Sequence, residues 1–305
     1  MSVREAVRAP EKSASVYAQR ARYVCNGNGF DFAYPPVPSR QFLAEREQAF
    51  DGNAASGLVE LDASDALGTA YAATTPSLLC RYIKVRAGER LSSTVVASGK
   101  VIYVIAGRGA SRNGRDEIVW SVGDVFCFPG GVETVHTATD DALLFSATDA
   151  PLLAFAGIGA PATGHPTVEA VIWSSSEIDR RLTEVYDRST SEQTTGAAVQ
   201  FSTRRTQPNF TTTPFINAAI NTLAASSDQR PHRHNGVAVT LAIQGEGIHS
   251  LIDGERIDLV SGAAQITPAT DLHSHHNRGN KRMRSLVIQD EGLHIYTRTP
   301  GFSFD

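Results

Sequence analysis

Seven of the chain's nine histidines fall between His232 and His294, and three of them have the spacing of a metal site. Pro231-His232-Arg233-His234 is extended in character. Alternate residues of a strand point to one face, so His232 and His234 converge while Arg233 turns away. A third imidazole must come from another strand. His273 lies 39 residues beyond His234, just past Thr267-Pro268, an interval that returns a later strand beside the first in a barrel of sequential hairpins. Three neutral imidazoles on one side of a divalent cation leave the opposite coordination positions open to substrate and oxygen. His275 shares the face of His273 and is a candidate base or substrate contact, whereas His276 is expected to point outward. His165, His249 and His294 are expected to be structural or exposed. A lone strand histidine is more often solvated or hydrogen-bonded than a ligand. Here the HxH, the returning histidine and a repeat framework together outweigh that default.

The elements that must carry these residues read as strands. Short runs rich in Val, Ile, Tyr and Phe, broken by Gly-containing turns, occur at Leu79–Val85, Val101–Ile105, Glu117–Val122, Val125–Phe128 and Ala142–Ala147. The texture returns at Phe215–Leu223, Val237–Gln244, Gly247–Ile252, Glu255–Leu259, Ala263–Thr267, Arg284–Gln289 and Gly292–Thr297. The two blocks match in outline. Ala106-Gly107-Arg108-Gly109 and Phe128-Pro129 in the first correspond to Gln244-Gly245-Glu246-Gly247 and Thr267-Pro268 in the second, which predicts a duplicated barrel. Between them, Val168, Val171, Ile172, Ile178, Leu182 and Val185 predict a helix over Pro166–Asp187, followed by the polar linker Arg188–Gly196. At the N-terminus Ser2–Arg20 is a candidate helix, Tyr34–Pro38 is held extended by prolines, and Ser39–Phe50 is a candidate helix capped by Ser39. The expected division is an N-terminal arm over 1–75, a first barrel over 76–160, a helical linker over 161–196 and a second barrel over 197–305.

Length and composition suit two ordinary globular domains. A net charge of −4 without a basic block argues against nucleic acid or an anionic membrane as partner. The longest apolar runs, such as Leu152–Ile158, are far too short to span a bilayer. Cys25, Cys80 and Cys127 are odd in number and widely spaced, so free thiols are expected. Residues Met1–Pro10 have no apolar signal core, and a cytoplasmic location is expected.

In the order Pro231-His232-Arg233-His234, Gly245-Glu246-Gly247, Asp253-Gly254-Glu255-Arg256, Thr267-Pro268 and His273-Ser274-His275-His276-Asn277, the sequence resembles the cupin superfamily, specifically the two-barrel gentisate and salicylate 1,2-dioxygenases. The resemblance covers residues 215–290, with a degenerate echo at 79–150. It implies an all-β fold of two cupin barrels of the double-stranded β-helix, or jelly-roll, type, with an N-terminal helical and extended arm and a linking helix. It also implies iron(II) held by His232, His234 and His273, and a match of His275 to a second histidine that the family often places after the third ligand. Many cupins carry a glutamate ligand four or five residues after the HxH. Ala238 and Val239 stand there, which disfavours the isomerase and decarboxylase branches and favours the oxygenases. The family usually keeps its metal in the first barrel. In this chain Thr94-Val95-Val96 stands in place of the HxH, the third-ligand position falls near Thr134, and His136 corresponds to His275, so the first barrel is expected to be metal-free.

What the resemblance implies for activity is iron-dependent ring cleavage of a salicylate- or gentisate-like aromatic hydroxy acid by O2. An arginine that the family places six residues after the HxH, to hold the substrate carboxylate, is replaced by Thr240. Aromatic and glutamine positions of the preceding strand correspond to Asn217 and Asn221. Candidate substrate contacts are therefore Asn217, Asn221 and Thr240, with Arg284 as the leading carboxylate partner and Arg40 and Arg81 behind it. Two other readings stand beside this one: a manganese-dependent two-barrel aminohydrolase or lyase, and a non-catalytic ligand-binding cupin. Duplicated cupins commonly self-associate, so a homo-oligomer is expected.

Overall fold

The structure, a computed structural model, describes residues 15–21, 23, 34–161, 166–188, 196–207 and 209–305. The chain forms two compact units, one through Pro35 and one from Pro36 to Asp305. The first contains α1 (Val16–Arg20), where the Ser15 hydroxyl accepts from the Tyr17 N–H at 3.2 Å. The remainder of the helix expected over Ser2–Arg20, together with Cys25, His165 and most of the polar linker, lies outside the described residues.

Within the second unit the strands build two barrels. The first comprises β1 (Gly57–Glu60), β2 (Leu79–Val85), β3 (Arg90–Ser93), β4 (Gly99–Ala106), β5 (Arg108–Asn113), β6 (Asp116–Ser121), β7 (Val125–Pro129), β8 (Thr134–Ala138), β9 (Ala142–Thr148) and β10 (Val171–Trp173). They form antiparallel sheets in the orders β1-β2-β9-β4-β7-β10 and β3-β8-β5-β6. The second comprises β11 (Ala197–Phe201), β12 (Asn217–Leu223), β13 (Ser227–Asp228), β14 (His232–His234), β15 (Ala238–Gln244), β16 (Ile248–Ile252), β17 (Glu255–Asp258), β18 (Ala264–Thr267), β19 (His273–Asn277), β20 (Met283–Gln289) and β21 (Phe302–Phe304). Its sheets run β11-β12-β20-β15-β18 and β17-β16-β19-β14-β21, with β13 paired to β19.

The sheet β1-β2-β9-β4-β7-β10 of the first barrel packs against the sheet β11-β12-β20-β15-β18 of the second. On β2, β4 and β9 one set of alternate residues (Cys80, Tyr82, Val101, Tyr103, Phe145) packs in a single core with Ala218, Ile220, Val239, Leu241, Leu286 and Ile288 of the second barrel. The opposite set (Ile83, Ile102, Val104, Leu144) fills the first barrel's interior with Trp120, Phe126 and Phe128. Strand parity therefore decides everything: one face of each sheet seals the two barrels together, and whatever stands at the other positions lines a barrel interior. Tyr82 clasps the junction, donating its hydroxyl to the Gly262 carbonyl at 2.6 Å and meeting Phe145 and Phe50 edge-on. Trp173 of β10 lies 5.2 Å from Phe201 of β11 across the same junction. Cys80 and Cys127 are free and buried, with burial pushing both thiols up to about 12.

Three expected elements differ. Gly292–Thr297 is not a strand but lies in the helix α6 (Glu291–Thr297). The carbonyls of Pro214 and Phe215 approach Gly292 so closely that a side chain would meet them within 3 Å, and Leu293 and Tyr296, three apart, are a helical pair. The repeat holds here too: β9 runs through Asp149 into α4 (Ala150–Ala156), as β20 runs through Asp290 into α6. The helix expected from Pro166 begins only at Ser175, as α5 (Ser175–Arg188). Val171–Trp173 instead pairs with β7, and the Asp124 carboxylate accepts from the Ser175 N–H at 2.7 Å where the chain turns. Ser39 is not a helix cap, because Gln41 bridges Gln265 and Phe42 N–H donates to the Ala264 carbonyl, holding the chain extended until α2 (Leu43–Phe50).

Because the barrels share one core, urea unfolding followed by tryptophan fluorescence and by far-ultraviolet circular dichroism should give coincident transitions. Tyr82→Ala should lower stability by about 3–5 kcal/mol, the usual loss for a large buried ring. Two separated transitions in the wild type would show that the barrels fold independently.

Candidate metal centre

β14 is short, and its alternation is clean: His232 and His234 are buried while Arg233 is exposed and donates to the Thr270 carbonyl. β19 runs antiparallel beside it with His273 directly opposite His232. The ring centroids of His232 and His273 lie 4.3 Å apart and those of His234 and His273 4.6 Å apart. One nitrogen from each of the three rings lies within 4.8 Å of the others. Backbone oxygens fix the tautomers. Nδ1 of His232 donates to the Arg230 carbonyl at 3.0 Å, Nδ1 of His234 to Gly236 at 2.7 Å, and Nδ1 of His273 to Asp271 at 2.9 Å. Each Nε2 is thereby left unprotonated, with a lone pair to offer. At His234 that lone pair accepts from the Gln289 amide, Nε2 to Nε2 at 3.2 Å. Burial lowers the pKa of all three, and the other imidazoles drive His273 further, to about 2. The trio is thus neutral and needs no deprotonation, which is the state a divalent first-row metal takes from imidazole. This donor set fits such an ion.

The trio opens on a cavity of about 440 Å³ inside the second barrel. The face of β12, β15 and β20 opposite the shared core supplies Ala219, Asn221, Ala238, Thr240, Val287 and Gln289 to its wall. Of the expected site residues, His275, Asn221 and Thr240 line this cavity with the trio. Asn217 does not; it is buried on β12 two residues before Ala219 and donates to Glu291 at 3.5 Å. Arg284 is not brought to the cavity either. It stands on β20 at the parity opposite Ser285 and Gln289, so it points out of the barrel and pairs with Asp179 of α5 at 2.9 Å. Arg40 pairs with Glu45, and Arg81 belongs to the first barrel. Among the described lining residues there is no lysine or arginine, and Glu291 is the only carboxylate.

Sequence reasoning missed Gln200, Gln229, Gln289, Glu291 and Phe302. The strand parity of β20 could have found Gln289. Glu291 was hidden by reading α6 as a strand. Phe302 carries no local signal: it reaches the site because β21 pairs with β14, bringing its ring 5.2 Å from His232 in a stacked arrangement.

His275 is held for work at Nε2. Its Nδ1 bonds the Ser250 hydroxyl at 2.8 Å, Ser250 donates onward to Gln265 at 3.0 Å, and the His275 N–H donates to the Gln229 side chain. Burial drives its pKa to about 4. The first barrel keeps the same device without the ligands: His136 bonds Ser111 at 2.7 Å, and its pKa is driven to about 3. His276 points to the other face, bonded to Asp228 at 2.6 Å and stacked on His249. Asn277 closes β19 by donating to the carbonyls of Leu223, Ala224 and Lys281.

His136, His273 and His275 all refuse protons that the unfolded chain accepts near its ordinary histidine value of about 6.5. Stability of the metal-free protein should therefore be level above that pH and fall progressively below it, because there the unfolded state binds more protons. Urea midpoints at pH 7.5 and 5.5 check this; equal midpoints would show that the imidazoles titrate normally in the fold.

The comparisons with known proteins agree with this geometry. Residues 220–289 match the Cupin domain family. The chain is 32% identical over 135 residues to the 5-aminosalicylate 1,2-dioxygenase of Comamonas sp, a match covering 42% of this chain and 36% of that protein. It is 34% identical over 65 residues to the gentisate 1,2-dioxygenase of Ralstonia sp, covering 21% of this chain and 18% of the relative. The matches thus span well under half of either curated relative. The salicylate 1,2-dioxygenase of Pseudaminobacter salicylatoxidans superposes with a TM-score of 0.73 over 91% of both chains at 14% identity, which establishes the fold. The chain thus shares the two-barrel fold of the salicylate 1,2-dioxygenase, and the stretch that matches the Cupin domain family is the barrel that carries the histidine trio.

Proposed function

We propose that the chain is an iron(II)-dependent, ring-cleaving dioxygenase acting on a salicylate- or gentisate-like aromatic hydroxy acid with O2. The observation that carries the reading is the set of three neutral imidazoles with unprotonated Nε2 atoms facing one cavity. His232, His234 and His273 would hold the metal. Iron(II) there would supply positive charge for the substrate's carboxylate and hydroxyl oxygens and the redox chemistry that O2 requires. That role is what the cavity lacks, since no cationic side chain lines it among the described residues.

The chain's own residues then bind and orient the ring. Amides of Gln200, Asn221 and Gln289 offer donors to substrate oxygens, and Thr240 leaves depth where a longer side chain would close the wall. His275 Nε2, aimed into the cavity with its tautomer set by Ser250, accepts the proton of the substrate hydroxyl. Phe302 covers the mouth beside His232 and keeps water from it. Glu291, at the first turn of α6, meets a hydrogen-bond-donating ring substituent, an amino or hydroxyl group. A cytoplasmic, self-associated enzyme built as a metal-free first barrel and a metal-bearing second one completes the proposal.

Anaerobically purified protein should carry near-stoichiometric iron and take up oxygen with salicylates. His273→Ala should lose both, and a manganese or zinc protein without uptake would overturn the reading. His275→Gln should keep its iron and lose about 10²–10⁴-fold in kcat, as removal of a positioned proton acceptor does. Glu291→Gln should reduce the preference for amino- or hydroxyl-bearing rings over unsubstituted salicylate by about tenfold, read from kcat/KM ratios. An unchanged ratio would remove Glu291 from substrate selection.

A further inference from the structure

The first barrel repeats the plan of the second, and its interior carries two buried cations. Arg81 on β2 shares its face with Ile83, and Lys100 on β4 shares its face with Ile102, so both enter the barrel rather than the shared core. By the repeat they stand where the second barrel has Ala219 and Ala238, two residues of the metal cavity wall. Arg81 is 8% exposed and Lys100 3%.

Their charges are incompletely matched. Lys100 donates to the Thr134 hydroxyl at 2.6 Å, at the position equivalent to the third metal ligand, and makes no ion pair among the described residues. Asn113 donates to the same hydroxyl. Arg81 has one acidic partner, the half-exposed Glu60 at 3.1 Å, and its Nε–H is buried without an acceptor. Asp149, the buried carboxylate at the end of β9, is engaged instead by the Ser98 N–H. Repulsion from Arg81 adds to burial in lowering the Lys100 ammonium to about 8, which places the two cations within each other's field. A buried donor left empty beside two cations is a costly arrangement unless something fills it.

Room for that exists. Arg81 and Glu60 line a cavity of about 360 Å³ whose wall includes the exposed residues Thr94 and Val96, next to β3. Its other walls, among them Tyr71, Leu79, Val95 and Pro151, are mostly apolar. One guanidinium at the base of an apolar cleft suits a carboxylate head on an apolar body, and Glu60 opposes a dianion such as phosphate. We propose that the first barrel carries a binding site for a small apolar monocarboxylate, held by Arg81.

The test is calorimetric titration of the full-length protein with benzoate, which lacks the adjacent hydroxyl needed for chelation. Wild type should bind one equivalent, and His273→Ala should bind it equally, since the second barrel takes no part. Arg81→Gln should weaken binding at least tenfold. Val96→Trp, at an exposed position of the mouth where folding is untouched, should block it. No binding to wild type, equal binding in both first-barrel variants, or loss in His273→Ala would each overturn the proposal. Phosphate binding with an affinity matching that of benzoate would overturn the assignment to a monocarboxylate.

Discussion

The face-to-face packing of two β-sheets is the constraint on which the rest of this molecule depends. Tyr82, Val101, Tyr103 and Phe145 from one barrel and Ile220, Val239, Leu241, Leu286 and Ile288 from the other form one apolar layer. Each fully buried side chain of this kind contributes roughly 1.5–3 kcal/mol when removed from water. Because the residues alternate along each strand, committing one face to this layer fixes the direction of every other side chain. The cavity residues of the second barrel are the remainder of that commitment.

The two interiors then diverge by composition alone. In the first barrel Ile83, Ile102, Val104, Leu144, Phe126 and Phe128 pack together at inward positions, and the space left is the cleft beside Arg81. In the second the inward positions are Ala219, Asn221, Ala238, Thr240, Val287 and Gln289, which are smaller or polar, and a cavity remains. The same backbone plan thus yields one barrel with an apolar centre and a side cleft, and one with an open interior. Both contain a buried histidine–serine pair, His136 with Ser111 and His275 with Ser250, although among the described residues only the second carries a histidine trio.

Within the open barrel, hydrogen bonds too local to see in a fold diagram prepare the chemistry. Three carbonyls, each two residues from its histidine, take the Nδ1 protons and turn the Nε2 atoms toward one point. Desolvation and mutual repulsion keep the rings neutral. The absence of lysine and arginine from the described lining leaves a bound cation as the natural partner for an acidic substrate.

The order of strands, the duplication and the three converging histidines were legible in the sequence, because strand alternation and an HxH are local patterns. Leu79–Val85 was read to the residue; strand alternation put His275 on the face of His273, the family resemblance pointed to Thr240, and both line the cavity. Tertiary structure decided what local pattern cannot carry. It made Glu291–Thr297 a helix, since the tight approach of Pro214 and Phe215 to Gly292 comes from a distant segment. It sent Arg284 to Asp179, since the register of β20 against the shared core, not the residue's charge, sets its direction. It brought Phe302 to His232 by adding a final strand beside β14. Sequence by itself determined which residues could do the chemistry. Which of them meet was decided by sheet packing, because a side chain's direction depends on the face its strand must bury.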